Sequence, residues 1–446
     1  MTGMLAEQDQ DKVTLQPELL DRLADARKRA DDLFSIVKPE ALYDRPIPER
    51  HRIIFYMGHV EAFDWNLLHD RIIRVESFDP KLDHLFAFGI DPVDGKLPSD
   101  VPADWPAIDV VQDYVRRVRK TLDHALSADF GSSIVSGQSP NTLLNVAIEH
   151  RLMHAETLAY MLHQLPLDRK ARQAADPVIP MQPFSPEMIR IPAGSAMLGL
   201  ARQQDVFGWD NEFDAHAVQV PAFAIDRFKI TNGQFLEFMR GGGYEKPEFW
   251  TPADWDWKTQ QNISAPGFWR SNDGEWHLLT MFDSIPLPLD WPVYVSHAEA
   301  SAYARWAGKS LPTEAQWHRA AYATPNGIER AYPWGSANPA EKFGNFDFQR
   351  WDPTPVSAFA EGGSAFGVDG LVGNGWEWTS TVFAPFAGFE RFSFYPGYSA
   401  DFFDGRHYVM KGGSSRTAAC MLRRSFRNWF QPHYGYVYSG FRCVTD

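Results

Sequence analysis

Two histidines four residues apart, His150 and His154, stand in "NTLLNVAIEHRLMHAETLAYMLHQL", a run that otherwise reads as a helix with an apolar stripe. Positions i and i+4 share a helix face. Leu143, Ala147, His150, His154, Leu158 and Met161 therefore fall close to one stripe, on the side that should meet a core. Two imidazoles there must each find a partner or suffer a desolvation cost. A metal ion is one solution, because neutral imidazole is a good ligand and this spacing lets two rings converge. Hydrogen-bonded core or rim histidines are the bland alternative. A third histidine shifts the balance. His59 lies in "ERHRIIFYMGHVEAFDWNLL" with Phe55 and Phe63 at i−4 and i+4, again on an apolar stripe, whereas His51 sits at the polar start of that segment and reads as solvated or as a helix-start residue. Three histidines with no carboxylate ligand leave coordination positions open, as a catalytic metal requires. Glu156, two residues past His154, points elsewhere on the helix and reads as a supporting or surface residue.

These histidines need helices to hold them. The apolar spacing predicts helices over 16–37, 48–75, 107–127 and 141–164, four long elements that suggest a bundle. Residues 165–187, polar and then proline-rich, read as a join. Only Trp65 and Trp105 precede residue 186, and the other fourteen tryptophans follow it, a composition shift that marks a domain boundary. Beyond the join, short apolar pieces are scattered among Gly, Pro and Asn. One clear helical stretch, "SHAEASAYARWAGKSLPTEAQWHRAAYA", breaks at Gly308 and restarts after Pro312. The rest reads as an α+β domain with many ordered loops, its aromatics supplying core area that regular layers do not.

The length of 446 residues predicts two or three domains. The net charge of −14 argues against nucleic acid and against an anionic membrane surface. No apolar run reaches the roughly 20 residues of a membrane span. The polar, acidic start "MTGMLAEQDQDKV" shows no secretory pattern, and two cysteines, Cys420 and Cys443, give no disulfide framework, so the cytoplasm is the expected location.

The N-terminal part resembles DinB-like bundles, whose HxxxHxE and upstream histidine carry a metal. The C-terminal part is similar to the formylglycine-generating-enzyme fold, a C-type-lectin-like α+β domain, through "MIRIPAGSAMLGL" (188–200), "PVYVSHAEASAYARWAGKSLPTEAQWHRAA" (292–321), "GLVGNGWEWTS" (370–380), "MKGGSS" (410–415), "RRSFRNWFQP" (423–432) and "GFRCV" (440–444). In this order the two resemble the ergothioneine-type sulfoxide synthases, the EgtB-like nonheme iron enzymes. The resemblance implies a multidomain protein: residues 14–166 a helical bundle with the iron ligands, 167–186 a linker, 187–446 the formylglycine-generating-enzyme-like (sulfatase-modifying-factor) domain. It implies Fe(II) held by His59, His150 and His154, with O2 as co-substrate, and a chalcogen donor joined to C2 of the imidazole of hercynine, which is Nα-trimethylhistidine. It places Asn428 and Trp429 of "FRNWF" at the domain interface as hercynine contacts, the tryptophan facing the trimethylammonium in a cation–π contact of about 0.5–2 kcal/mol. Trp376, Met153 and Phe386 complete the substrate-contacting set. A structural Ca²⁺ is permitted by the Asp- and Asn-rich loops. Oligomeric state is left open.

The chain departs from the family pattern at three places. Members that take γ-glutamylcysteine carry an Asp directly after the Asn-Trp pair and an Arg four residues further on; here these are Phe430 and Tyr434, so a dicarboxylate donor finds no ion-pair partners. The acid tyrosine of "PYPGF"-like stretches is Phe386 in "PFAGF", and a Tyr-Tyr pair expected after an "LFNS"-like segment is missing from "LFAFGID" (85–91). With no catalytic acid in place, an easily oxidised selenolate is the expected donor. The chain thus resembles the selenoneine synthases (SenA), which join a 1-selenosugar to hercynine; an ergothioneine-pathway enzyme using cysteine or γ-glutamylcysteine is the alternative. A formylglycine-generating oxidase would need a reactive cysteine pair that Cys420 and Cys443 do not supply and would leave the bundle unexplained; a noncatalytic ligand-binding protein on this scaffold is the other reading, which iron content and O2 uptake with hercynine separate from an enzyme.

Overall fold

The computed structural model describes residues 16–446 apart from 74, 88–96, 128–138, 175, 178, 181–182 and 204–205. The chain forms two units that part between Ala171 and Arg172. The residues expected to be a free linker are tied down on both sides of that point. Lys38 N–H donates to the Arg169 carbonyl and Ala171 N–H to the Ile36 carbonyl, while Asp176 accepts from Trp351 N–H and the Pro177 carbonyl accepts from Arg350. Backbone hydrogen bonds, invisible to composition, recruit the join into each unit.

The first unit is helical: α1 (Pro17–Ser35), α2 (Ile53–Leu68), the short α3 (Pro80–Leu85), α4 (Ile108–Leu126) and α5 (Pro140–His163). α1 packs on α5, and α2 packs on both α4 and α5. The stripes of α1 and α4 bury as their spacing requires, with Leu23, Ala26, Ala30 and Leu33 on one helix and Val111, Tyr114, Val118 and Leu122 on the other. α5 differs from a one-striped helix. It is buried nearly all round, Glu149, Arg151, Glu156 and His163 included, and α1 and α2 both pack on it. Glu156 is therefore not a surface residue. His51 is half-buried just ahead of the N-cap of α2, its ring 4.2 Å from that of Phe55, so it is packed rather than solvated. Of "LFAFGID", residues 88–91 lie outside the described residues, as do residues 14 and 15 at the expected start of the bundle.

The second unit is α+β. Its elements are β1 (Met188–Ile191), β2 (Gly194–Leu198), β3 (His216–Val220), β4 (Phe223–Asp226), α6 (Asn232–Arg240), α7 (Pro252–Gln260), β5 (Trp269–Asn272), β6 (Glu275–Leu279), β7 (Ser284–Pro286), α8 (His297–Trp306), α9 (Glu314–Tyr322), β8 (Trp376–Val382), β9 (Tyr408–Lys411), β10 (Asn428–Phe430), β11 (Ser439–Gly440) and β12 (Val444–Thr445). Helices α6 and α7 escape the periodicity reading because each has nine residues; they start at Thr231 and Thr251, whose side chains cap the N-termini. The sheet that carries β10 runs β10–β9–β8–β11, with β11 parallel to β8. Short strands leave much of the core to large side chains, and Trp209, Trp317 and Trp378 are fully buried. The Glu377 carboxylate, 0% exposed, ties this core together: it accepts from Trp317 Nε1 at 2.9 Å and Arg442 Nε at 2.6 Å, and pairs with Lys229 at 2.9 Å. Gly412 must be glycine, since its φ is +101° and a Cβ would stand 2.5 Å from the Leu371 carbonyl oxygen. Among the described residues no helix is long and apolar enough to cross a membrane.

Candidate metal centre

His59 from α2 and His150 and His154 from α5 meet inside the helical unit. The Nε2 atoms of His59 and His154 are 3.2 Å apart and those of His154 and His150 are 3.1 Å apart. Among the described residues these three form the group of potential ligand atoms close enough to hold a metal, all within 4.8 Å of one another. All three rings are almost wholly buried, at 3%, 3% and 2% exposure. Burial lowers the pKa of His59 to about 4 and pushes His150 and His154 well below the usual histidine range, each helped down by the neighbouring cations and imidazoles. The rings are thus neutral at neutral pH, as ligands must be. His59 Nδ1–H donates to the Phe86 carbonyl at 2.6 Å, which leaves the Nε2 lone pair for the centre.

The arrangement fits a metal ion. Three neutral imidazoles that turn Nε2 toward one another can hold a cation between them when each presents its lone pair there. At a metal–nitrogen bond of about 2.1 Å, nitrogens at right angles lie about 3.0 Å apart and tetrahedral ones about 3.4 Å apart, so the observed spacings suit a shared ion. Aromatic rings wall the group. Phe55 stacks on His59 with centroids 4.8 Å apart, Phe63 stacks on His150 at 3.4 Å, and the Tyr56 ring lies 5.8 Å from His154.

The register of α2 on α5 is set by charges that the sequence reading passed over. Arg151, fully buried next to His150, donates to Glu61 at 2.8 and 2.9 Å, to Asp64 at 2.5 Å and to the Val60 carbonyl at 2.9 Å. Arg119 from α4 adds a 2.6 Å bond to Glu61. Burial alone would raise both carboxyls; the guanidiniums of Arg151 and Arg119 overcome this at Glu61 and hold it near 2, whereas Asp64, with the weaker share, stays raised. The signal was available: Glu61 and Asp64 are acidic residues inside the otherwise apolar run of α2. Phe86 had no such signal, because its contribution is a backbone carbonyl.

The remaining expected site residues are distributed as follows. Met153 is half-buried beside His154. In the second unit, Asn428 Oδ1 accepts from the Trp429 N–H at 2.9 Å. Trp429 is half-buried, stacked on Phe383 at 4.2 Å and edge-on to Tyr398 at 5.4 Å, so one indole face is already used. Phe386 belongs to the same group: Arg427 lies over its ring at 4.0 Å and over Phe383 at 4.9 Å. Phe430 and Tyr434 stack on each other at 5.2 Å. Trp376 is only 2% exposed, with its ring 6.1 Å from Phe426; its packing is that of a core residue. Neither Cys420 nor Cys443 is in a disulfide, and Cys443 is buried.

Residues 22–158 match the DinB superfamily and residues 176–446 match the sulfatase-modifying factor enzyme 1-like domain. A hercynine oxygenase of Mycolicibacterium smegmatis is 33% identical to this chain, covering 96% of it and 98% of its own length. A hercynine oxygenase of Mycobacterium tuberculosis is 39% identical over 56% of this chain and 59% of its own. Ergothioneine biosynthesis protein 1 of Neurospora crassa is 30% identical over 91% of this chain, which spans 55% of that protein.

Proposed function

The chain belongs to the hercynine oxygenase family, and on that premise we propose an iron(II)- and O2-dependent enzyme that joins a chalcogen donor to C2 of the hercynine imidazole, with a 1-selenosugar as donor. The observation that carries the iron reading is the convergence of three buried, neutral imidazoles on one point. When bound there, iron(II) with O2 supplies the oxidising power that imidazole C2 needs before it accepts a chalcogen. The protein's own residues do the rest. His59, held in one tautomer by the Phe86 carbonyl, and His150 and His154 hold the metal. Phe55 and Phe63 keep water from their flanks. The Asn428 amide can donate to the hercynine carboxylate, and the half-buried Trp429 indole can meet the trimethylammonium.

Two features favour the selenosugar. The stacked pair Phe430 and Tyr434 presents no charge to a dicarboxylate dipeptide. Phe386, packed on Arg427, has no phenol to donate. The thiol-using alternative has one observation in its favour: Tyr56 lies 5.8 Å from His154 and would be the phenol of such an enzyme. A donor panel separates the two. Hercynine and O2 are supplied with cysteine, with γ-glutamylcysteine or with the selenosugar, and products are read by mass. The selenosugar should react efficiently and the thiols poorly, and Phe386→Tyr should do little for the selenium reaction. Efficient sulfoxide formation from a thiol, with no reaction of the selenosugar, overturns the donor assignment.

A further inference from the structure

We propose that Gly58 is a positioning residue of the metal centre: the side chain it lacks is the notch that seats the Phe86 ring, and through that seat the Phe86 carbonyl is held on His59. The inference rests on reading His59, His150 and His154 as metal ligands.

Glycine in mid-helix has a cost, about 1 kcal/mol relative to alanine. Gly58 sits inside α2 with ordinary right-handed backbone, so no unusual φ demands it. What demands it is space. A Cβ at 58 would stand 2.5 Å from three atoms of the Phe86 ring at once. That ring cannot swing away. It is 0% exposed and boxed by Trp105 at 6.2 Å, Tyr114 at 5.9 Å and Phe55 at 6.4 Å.

The backbone of Phe86 is equally fixed. Phe86 caps the C-terminus of α3, its N–H donating to the Leu82 carbonyl at 3.0 Å. The short helix is pinned from its other side: Asp83 accepts from Trp65 Nε1 at 3.0 Å and from the Tyr114 hydroxyl at 2.7 Å. With the ring in its notch and Asp83 anchored, the Phe86 carbonyl has one place to point, 2.6 Å from His59 Nδ1. A methyl group at 58 must push the ring, the residue and the carbonyl together. Losing the partner of a ligating histidine typically weakens metal binding about 10–100-fold.

The test measures Zn(II) and anaerobic Fe(II) affinity by chelator competition in the full chain. Gly58→Ala should weaken both by about 10–100-fold. Phe86→Leu, which removes the ring atoms that the new methyl meets but keeps a side chain in the notch, should stay within a few-fold of wild type. The double variant Gly58→Ala/Phe86→Leu should recover to the level of Phe86→Leu alone, which ties the loss to the contact between these two side chains, and thermal unfolding of the apo variants separates a positioning loss from general destabilisation. Wild-type affinity in Gly58→Ala, or a double variant as weak as Gly58→Ala, overturns the proposal. Should Gly58→Ala not fold, Phe86→Ala carries the test: emptying the notch should weaken binding to the same degree, and unchanged affinity refutes the seat. His59→Ala runs in parallel. If it binds metal like wild type, the metal reading itself fails; if it loses metal while Gly58→Ala keeps it, only the positioning role fails.

Discussion

Arg151→Met should destabilise the helical unit severely. Arg151 is the buried guanidinium that neutralises Asp64 and half of the hydrogen bonding of Glu61. Glu61 keeps Arg119 after the substitution, while Asp64 loses its short bond. Two routes to the magnitude agree. Removing one partner of a buried ion pair costs about 3–5 kcal/mol. If Asp64 instead takes up a proton at pH 7, moving from its ordinary 3.8 costs at most about 4.4 kcal/mol at 1.36 kcal/mol per pKa step, less whatever its raised pKa already costs with Arg151 in place. With a urea slope of about 1–3 kcal/mol per molar, a loss of about 4 kcal/mol moves the midpoint by more than about 1 M. The two units can be watched separately. Fourteen of the sixteen tryptophans follow residue 186, so indole fluorescence reports mainly the second unit, and circular dichroism at the helix band weights the first. The helix transition should shift and the fluorescence transition should lag behind it. Arg151→Met/Asp64→Leu removes both charges and should recover at least half of the loss, because apolar replacement of a buried pair is often neutral. A single-variant loss below about 1 kcal/mol, or a double variant no better than the single, refutes the idea that this cluster locks α2 to α5.

His59→Ala, His150→Ala and His154→Ala should each abolish iron retention and turnover, while His51→Ala keeps both; metal analysis of anaerobically loaded protein decides, and a dead His51→Ala beside an active His59→Ala would reassign the ligands. Asn428→Ala and Trp429→Ala should weaken hercynine binding by about 30- to 1000-fold, the equivalent of about 2–4 kcal/mol, with iron content intact, as titration calorimetry would show. Equal affinity for histidine and hercynine would argue against an aromatic contact with the trimethylammonium. Acid should unfold the helical unit through Glu61. Its folded pKa, near 2, lies below its ordinary 4.5, so the unfolded chain binds more protons between those values; the contribution is complete above pH 4.5 and lost as pH falls toward 2. It amounts to at most about 3 kcal/mol, and Glu61→Gln should flatten the stability–pH curve in that window.

Much of this protein was legible in the chain. Helical spacing placed three of the four long helices to within two residues, because a 3.6-residue apolar period leaves few other ways to bury the stripe, while the second, expected over 48–75, is α-helical only over Ile53–Leu68. The same spacing put His150 and His154 on one face, and the Phe-flanked His59 on a second helix. The tryptophan shift pointed to a boundary near residue 186, and the chain parts into its two compact units between Ala171 and Arg172. Tertiary structure decided what local pattern cannot encode. It brought α2 onto α5 so that three imidazoles converge, with Arg151, Glu61 and Asp64 fixing the register through a buried charge cluster. It buried α5 on nearly every side, which decided against the surface for Glu156, whose expected role was supporting or surface. It chose a main-chain carbonyl, that of Phe86, to orient His59, and a backbone group carries no residue type for a sequence to display. It also gave Gly58 its purpose, which is to have no side chain where an aromatic ring from a distant segment must fit.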